Sequence, residues 1–157
     1  MTDRTRELAL DLLQTQRTMV LATADPAPWT APVYYVYQEN RCYFFSSAQS
    51  RHILAAGKAA PCAAAIFRDG DNWRDIEGLQ MAGRIEEVCL GREALQAYRS
   101  YLRRFPTVQE LLADAVLDLA QFLAHFRTQL YAFVPDEVYY LNNRAGLEKR
   151  QRVEWPL

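Results

Sequence analysis

Residues 42–52 of the sequence, CYFFSSAQSRH, join a strongly β-forming segment to a cluster of polar side chains. Three aromatic residues in succession favour a strand, and a short helical pattern over residues 51–57 follows. The polar side chains of this stretch are Ser46, Ser47, Ser50, Arg51 and His52. Ser50 is a good N-cap, so Arg51 and His52 fall in the first helical turn, where the helix dipole favours an anion. Hydroxyls, a guanidinium and an imidazole suit a phosphate monoester better than a carboxylate, although a capped surface helix with an exposed arginine explains the same residues.

The segments on both sides of this stretch predict an antiparallel sheet. Strands are expected over residues 18–23, 29–37, 42–47, 60–67, 75–88, 125–134 and 138–141. A polar turn at residues 38–41 pairs the second and third of these as a hairpin. The strand over residues 60–67 is rich in alanine and is expected to be buried against something bulky, and Gly78 and Gly83 mark bulges or close approaches.

Helices are expected at the start of the chain and between residues 91 and 124. The first covers residues 3–16, and another begins at Arg92. Thr107 and Glu110 form a capping box that opens a further helix. The apolar residues expected to be buried by that helix are Leu111, Leu112, Ala115, Val116, Leu119 and Leu123. Strands joined mainly as hairpins and flanked by helices predict an α+β fold, an antiparallel barrel with helices around it.

Length and composition indicate one globular domain over residues 1–157. The net charge is −1, so bulk electrostatics gives no reason to expect nucleic acid or an anionic membrane as a partner. The three cysteines lie far apart, which argues against a disulfide framework and against a zinc site. The first 16 residues carry charges throughout and resemble neither a signal peptide nor a membrane span. We therefore expect a cytoplasmic protein.

Familiar catalytic motifs are missing from the sequence. It contains no GxGxxG after a strand, no P-loop, no HExxH and no GxSxG. The sequence has two histidines, His52 and His125, which are too few to favour a catalytic triad or a multi-histidine metal site. His125 lies between phenylalanines and is expected to be packed or half-exposed.

Three segments resemble one known family. Residues 30–53, TAPVYYVYQENRCYFFSSAQSRHI, look like the flavin mononucleotide (FMN)-binding split barrels related to pyridoxamine 5′-phosphate oxidase. Residues 76–86, IEGLQMAGRIE, resemble the family's next strand, and residues 142–150 are similar to a C-terminal motif of a poorly characterised branch. The resemblance implies an α+β split barrel that binds FMN, with residues 91–124 as a loosely matching helical insert.

Carried over residue by residue, the resemblance implies a set of cofactor-binding positions. Arg51 would clamp the phosphate, Ser47 and Ser50 would donate hydroxyls, and His52 would take the second cation position. Phe45 and Ser46 would line the ribityl chain. The strand that would lie against the ring consists of Thr30, Ala31, Pro32 and Val33. Gln80 of the partner subunit would contact the ring, and Arg150 would reach across a dimer. Metal ligands and catalytic residues are not assigned.

The sequence departs from the oxidase at several positions. Thr30 stands where the oxidase has an arginine, and the ring-contacting glutamine of the oxidase aligns without gaps with Gly78 rather than Gln80. The resemblance therefore supports FMN binding better than chemistry on a vitamin substrate. The expected function is an FMN-dependent oxidoreductase acting as a homodimer on a small-molecule electron donor or acceptor. Alternatives are a non-catalytic module for flavin, haem or deazaflavin, and a dimeric interaction module without a cofactor.

Overall fold

The structure is a computed structural model that describes residues 3–112, 116–146 and 150–157. The strands are β1 Thr18–Thr23, β2 Trp29–Tyr34, β3 Val36–Gln38, β4 Arg41–Ser46, β5 Pro61–Arg68, β6 Glu77–Glu87, β7 Gln129–Asn142 and β8 Arg150–Val153. The helices are α1 Asp3–Thr15, α2 Arg51–Ala56, α3 Arg92–Arg104, α4 Pro106–Glu110 and α5 Leu119–Phe126. Two short 3₁₀ helices cover Trp73–Asp75 and Asn143–Ala145. Of the predicted residues, Ala115 and residues 147–149 of the C-terminal motif lie outside the described residues.

All of these strands belong to one curled antiparallel sheet in the order β2-β1-β5-β6-β7-β4-β3, with β8 added to β7. The sheet forms a half-barrel with helices against it, so the α+β prediction is confirmed. One apolar core lies between α1 and the inner face of the half-barrel and includes Leu12, Leu13 and Phe44. A second core lies where α3 and α5 cover β4 and β7, and it includes Tyr98 and Phe122. Among the described residues no helix has the length and apolar character needed to span a membrane.

The predicted strand over residues 29–37 is divided at Tyr35. Its first part, β2, pairs with β1, and only Val36–Gln38 pairs with β4, so the predicted hairpin is half right. Tyr35 is fully buried, its amide donates to the Arg17 carbonyl at 3.1 Å, and its hydroxyl donates to the Leu13 carbonyl at 2.9 Å. Because of these bonds Tyr35 pairs neither with β1 nor with β4. At this residue the chain passes from β2, at one edge of the sheet, to β3, at the other edge.

Strand β7 is longer than predicted because the chain accommodates Pro135 without a turn. One strand of 14 residues, Gln129–Asn142, stands where two were predicted over residues 125–134 and 138–141, and the predicted start at residue 125 is wrong because His125 and Phe126 end α5. Gly83 is paired with Pro135 at a register shift between β6 and β7, a bulge of the kind expected from the glycine. A Cβ on Gly83 would lie 2.2 Å from the carbonyl oxygen of Val134, so the two strands approach too closely there for a side chain.

The helical insert differs from the prediction at its capping signal. The capping box is formed by Asp118 and Gln121 at the start of α5, not by Thr107 and Glu110. The long helix predicted after residue 106 is therefore two short helices, and Val116 between them is 96% exposed. The structure also contains β8, which the polar tail did not suggest; its anchor is Val153, which is only 2% exposed.

Candidate functional site

The polar residues after β4 form a hydrogen-bonded group, which we call the serine–histidine cluster: Ser46, Ser50 and His52. The Ser46 hydroxyl lies 3.0 Å from the Ser50 hydroxyl and 2.9 Å from Nε2 of His52. Ser50 Oγ lies 3.4 Å from the same nitrogen. Three of the five predicted polar side chains therefore converge at the junction of β4 and α2, whereas the side chains of Ser47 and Arg51 do not join them.

Ser50 occupies the N-cap position of α2 but its hydroxyl is used differently from the prediction. It donates to the Ser47 carbonyl at 2.7 Å, and it does not accept a capping bond from the helix. Ser47 is exposed, and its own hydroxyl accepts from the Gln49 amide at 3.2 Å. Since the Ser50 proton is directed to Ser47, Ser46 has one proton to share between Ser50 and His52. The cluster thus holds hydroxyl oxygens and an imidazole within reach of one added group.

His52 is half-buried, and burial lowers its pKa below the ordinary value of 6.5. Desolvation disfavours the imidazolium, because removing a charge from water is costly. Near neutral pH the ring is therefore neutral and can donate or accept one hydrogen bond at Nε2. In this state His52 acts as a polar partner of the serines, and it gains a charge only when an anion or an acidic solution favours protonation.

Arg51 extends from the first turn of α2 over the side chain of Trp29. Its guanidinium carbon lies 4.1 Å from the centroid of the indole ring, a cation–π distance. Trp29 is the first residue of β2, so this contact links the start of α2 to the start of the predicted ring-binding strand. Sequence reasoning missed Trp29 as part of the site; the one signal was an aromatic residue directly before Thr30.

A buried hydroxyl without a partner lies next to this contact. Thr23 is 5% exposed, and within the described residues its Oγ1 has no hydrogen-bond partner. It is the cross-strand neighbour of Trp29, at the end of β1. Leaving a buried hydroxyl unpaired costs about 1–3 kcal/mol, so a bound polar group or water is favoured at this end of the half-barrel.

The predicted strand segment at residues 30–33 alternates between the two faces of the sheet. Thr30 and Pro32 are exposed on the outer face, whereas Ala31 is buried and Val33 is half-buried on the inner face. Phe45 is turned away from the cluster, with its ring centroid 4.8 Å from that of Tyr101 in the second core. Its side chain is thus engaged inside the fold, and Thr30 and Pro32 are the side chains of the segment that a ligand on the outer face can reach.

Gln80 and Arg150 meet on the same outer face within one chain. Nε of Arg150 donates to Oε1 of Gln80 at 2.9 Å, and both side chains are exposed. One row of paired residues crosses this face from β2 to β8, and it consists of Pro32, Val20, Ala65, Gln80, Tyr139 and Arg152. The bond to Arg150 occupies the amide oxygen of Gln80 and leaves its NH₂ group free to donate.

The serine–histidine cluster and Gln80 lie at different positions along β7. Ser46 is paired with Gln129 on β7, whereas Gln80 is paired with Tyr139, ten residues further along. The structure therefore brings the predicted site residues into two groups, one at the start of α2 and one on the outer face.

The sequence of this chain matches the model of a known protein family. The family model described as pyridoxamine 5′-phosphate oxidase matches residues 5–139. The chain belongs to the pyridoxamine 5′-phosphate oxidase family. The chain is also similar to the UPF0306 protein YhbP of Salmonella paratyphi B, with 31% identity over 124 residues that cover 78% of this chain and 74% of the relative.

Solved structures of low sequence identity share the fold of this pyridoxamine 5′-phosphate oxidase family member. A heme binding protein from Mycobacterium smegmatis superposes with a TM-score of 0.73 at 15% identity, covering 98% of this chain and 59% of the other. An FAD-binding protein from Mesorhizobium loti superposes with a TM-score of 0.61 at 16% identity, covering 92% of this chain and 91% of the other. Both likenesses show the fold alone. Across the described part of this chain, no group of three or more His, Cys, Asp or Glu side chains could hold a metal ion.

Proposed function

We propose that this chain binds FMN and acts as a flavin-dependent oxidoreductase, in a homodimer whose two cofactor sites lie between the subunits. The observation that carries the proposal is the serine–histidine cluster beside Arg51, with polar contacts of 2.9–3.4 Å around His52. The Ser46 hydroxyl and the imidazole of His52 can each donate a hydrogen bond to phosphate oxygens, and the cluster contains no carboxylate that would repel them. The unpaired hydroxyl of Thr23 on the neighbouring strand supports a polar ligand at this end of the sheet.

The roles of the protein's own residues follow from where their donors lie. Arg51 would bind the phosphate through two N–H groups, and the serine hydroxyls would fix its orientation. Gln80, with its oxygen held by Arg150, would donate from its NH₂ group to the polar edge of the ring. When bound, FMN supplies reversible hydride and single-electron transfer. A small-molecule electron donor or acceptor would approach the open face of the ring.

The outer face supports the dimer. Several exposed side chains there are small or apolar, namely those of Pro32, Tyr34, Ala63, Phe67 and Ala82. An exposed apolar surface that surrounds a polar pair is typical of an interface. In the proposed dimer the partner subunit's Gln80 would contact the ring of a flavin held at Arg51.

Haem is the second candidate ligand, favoured by the structural likeness to a protein named as heme binding. A haem iron is commonly held by a histidine nitrogen. In this chain Nε2 of His52 is engaged by Ser46 at 2.9 Å, and His125 is exposed at the end of α5. The cluster therefore suits a phosphate better than an iron ligand.

The deciding experiment is the visible spectrum of the purified protein followed by titration with FMN, FAD, riboflavin and haemin. We expect flavin bands and tight binding of FMN. A Soret band with preferential haemin binding would refute the flavin proposal, and a colourless protein that binds none of the four would leave an interaction module without a cofactor. Anaerobic reduction of the bound flavin by a nicotinamide cofactor, with reoxidation by an acceptor, distinguishes an enzyme from a storage module.

The comparison of FMN with riboflavin, which lacks the phosphate, isolates the role of Arg51. Arg51→Ala should weaken FMN binding by roughly 2–5 kcal/mol, because a charge-assisted pair is lost, and should leave riboflavin binding unchanged. Arg92→Ala is the matched control, since Arg92 is an exposed arginine at the start of another helix, α3. An equal effect of Arg51→Ala on both flavins would remove Arg51 from the phosphate site.

A further inference from the structure

The contact with Trp29 is the feature of the structure that positions the Arg51 side chain. Within the described residues the Arg51 side chain forms neither a hydrogen bond nor an ion pair, so Trp29 is the side chain that determines where its guanidinium lies. Trp29 itself is 43% exposed and belongs to β2, which is paired with β1 along its whole length. The indole is therefore a fixed platform, while Arg51 is a long exposed side chain without another anchor.

We propose that Trp29 is a positioning residue that holds the Arg51 guanidinium ready to bind the phosphate group of the ligand. The inference rests on the proposed function, because it assigns the way in which the same site takes its phosphate. A stacked guanidinium contacts the ring through its face, and its N–H groups point outward in the guanidinium plane. Because the Arg51 side chain has no hydrogen bond within the described residues, its donors remain available for two parallel bonds to phosphate oxygens while it lies over Trp29.

The physical gain is pre-organisation. An arginine side chain has many rotamers, and ordering them on binding reduces affinity. Trp29 restricts Arg51 before the ligand arrives, and the restriction is provided by a strand rather than a mobile loop. The cation–π contact of a partly exposed pair corresponds to about a twofold to fivefold change in affinity.

The chain offers a matched control for this contact. Arg74 lies over the ring of Trp73 with its guanidinium carbon 5.1 Å from the centroid, and Trp73 is 50% exposed. The pair has the same chemistry and a similar exposure, but it lies in the connection between β5 and β6, away from α2. Trp73→Leu therefore removes an equivalent contact without changing the environment of Arg51.

The test compares Trp29→Leu, Trp29→Phe and Trp73→Leu in titrations with FMN and with riboflavin. Trp29→Leu should weaken FMN binding about twofold to fivefold and leave riboflavin binding unchanged. Trp29→Phe should restore most of the FMN affinity, because phenylalanine keeps an aromatic face. Trp73→Leu should leave both affinities unchanged. In an Arg51→Ala background, Trp29→Leu should have no further effect on FMN, since the residue acts through Arg51.

Three results would overturn the inference. The first is an equal loss of FMN and riboflavin affinity in Trp29→Leu, and the second is an effect of Trp29→Leu that persists in the Arg51→Ala background. Either result would show that Trp29 acts on the flavin ring or on the fold rather than through Arg51. Unchanged FMN affinity would show that Arg51 needs no platform. Failure of the wild-type chain to bind FMN refutes the proposed function instead. Calorimetric titration with inorganic pyrophosphate then decides the role of Trp29, which is supported by weaker binding to Trp29→Leu and refuted by equal binding.

Discussion

A heterodimer of two defective chains tests whether each cofactor site is shared between subunits. One chain carries Arg51→Ala, and the other carries Gln80→Ala together with Arg150→Ala, which removes the hydrogen-bonded pair on the outer face. The first change should weaken FMN binding by roughly 2–5 kcal/mol, and the second by about 1–3 kcal/mol through lost polar contacts to the ring. Each homodimer alone should then bind FMN weakly at both of its sites.

In the heterodimer the two kinds of defect are redistributed if the site is shared. One site receives a wild-type Arg51 and a wild-type Gln80 and Arg150, and the other site receives all of the changes. We therefore expect about one strong site in each two-fold dimer, or half the stoichiometry of the wild-type protein. If each site were built within a single chain, both sites of the heterodimer would contain a defect and no strong site would be seen.

The assay uses co-expression of the two chains with different affinity tags, sequential purification and FMN titration followed by flavin fluorescence. A wild-type heterodimer prepared with the same tags should bind one FMN for each subunit. Absence of strong sites in the mixed heterodimer would refute the shared site, and failure to isolate any mixed species from co-expressed wild-type chains would refute the dimer.

Three further predictions concern stability and are measured by urea or thermal unfolding. Gly83→Ala should destabilise the fold by more than about 2 kcal/mol, because its Cβ would lie 2.2 Å from a main-chain oxygen. Gly91→Ala, with its nearest atom at 3.9 Å, should cost no more than about 1 kcal/mol, and equal losses would contradict the clash. Tyr35→Phe should cost about 1–3 kcal/mol through the buried carbonyl it leaves unpaired, whereas Tyr34→Phe, at an exposed position, should change stability by less than about 0.5 kcal/mol. Burial lowers the pKa of His52, so the unfolded chain binds a proton that the folded chain excludes as pH falls through about 6.5. The Tm of the wild-type protein should therefore drop more on acidification than the Tm of His52→Gln. A smaller drop of the wild-type Tm would refute the lowered pKa of His52.

The β-strands were predictable wherever local propensity and pairing agree. The strand over residues 18–23 is reproduced residue for residue, and the aromatic run after Arg41 forms β4. Tyr35 shows the limit of such reasoning. Nothing in a run of β-forming residues marks the one whose amide and hydroxyl bond to main-chain carbonyls at 3.1 Å and 2.9 Å outside the ladder.

Capping signals were less reliable because two candidates compete in the insert. Thr107 and Glu110 fit the capping-box pattern, yet Asp118 and Gln121 form the box in the structure. Pro106 begins α4 and needs no amide partner at that position, which reduces the need for a threonine cap. Local patterns predict that a helix can start, and tertiary packing decides which start is used.

The candidate site divides in the same way. The serine–histidine cluster is local in sequence, spanning seven residues from Ser46 to His52, and its convergence follows from a strand that turns into a helix. The contact between Arg51 and Trp29 joins residues from different elements, and so does the bond between Gln80 and Arg150. Sequence alone offers no distance for such pairs, and β8, which carries Arg150, has no strong hydrophobic pattern.

The alanine-rich strand β5 is the most informative difference between expectation and structure. Its composition predicts burial against something bulky, yet in one chain Ala63 is exposed and Ala65 is half-buried on the outer face. Small side chains on a face that meets only water gain nothing from their size, whereas they allow a close approach by a flat ring or by another sheet. Ala65 and Ala82 flank Gln80 in the paired strands. The burial predicted from the sequence is therefore what the proposed dimer would restore, with the flavin ring and the second subunit covering the face that one chain leaves open.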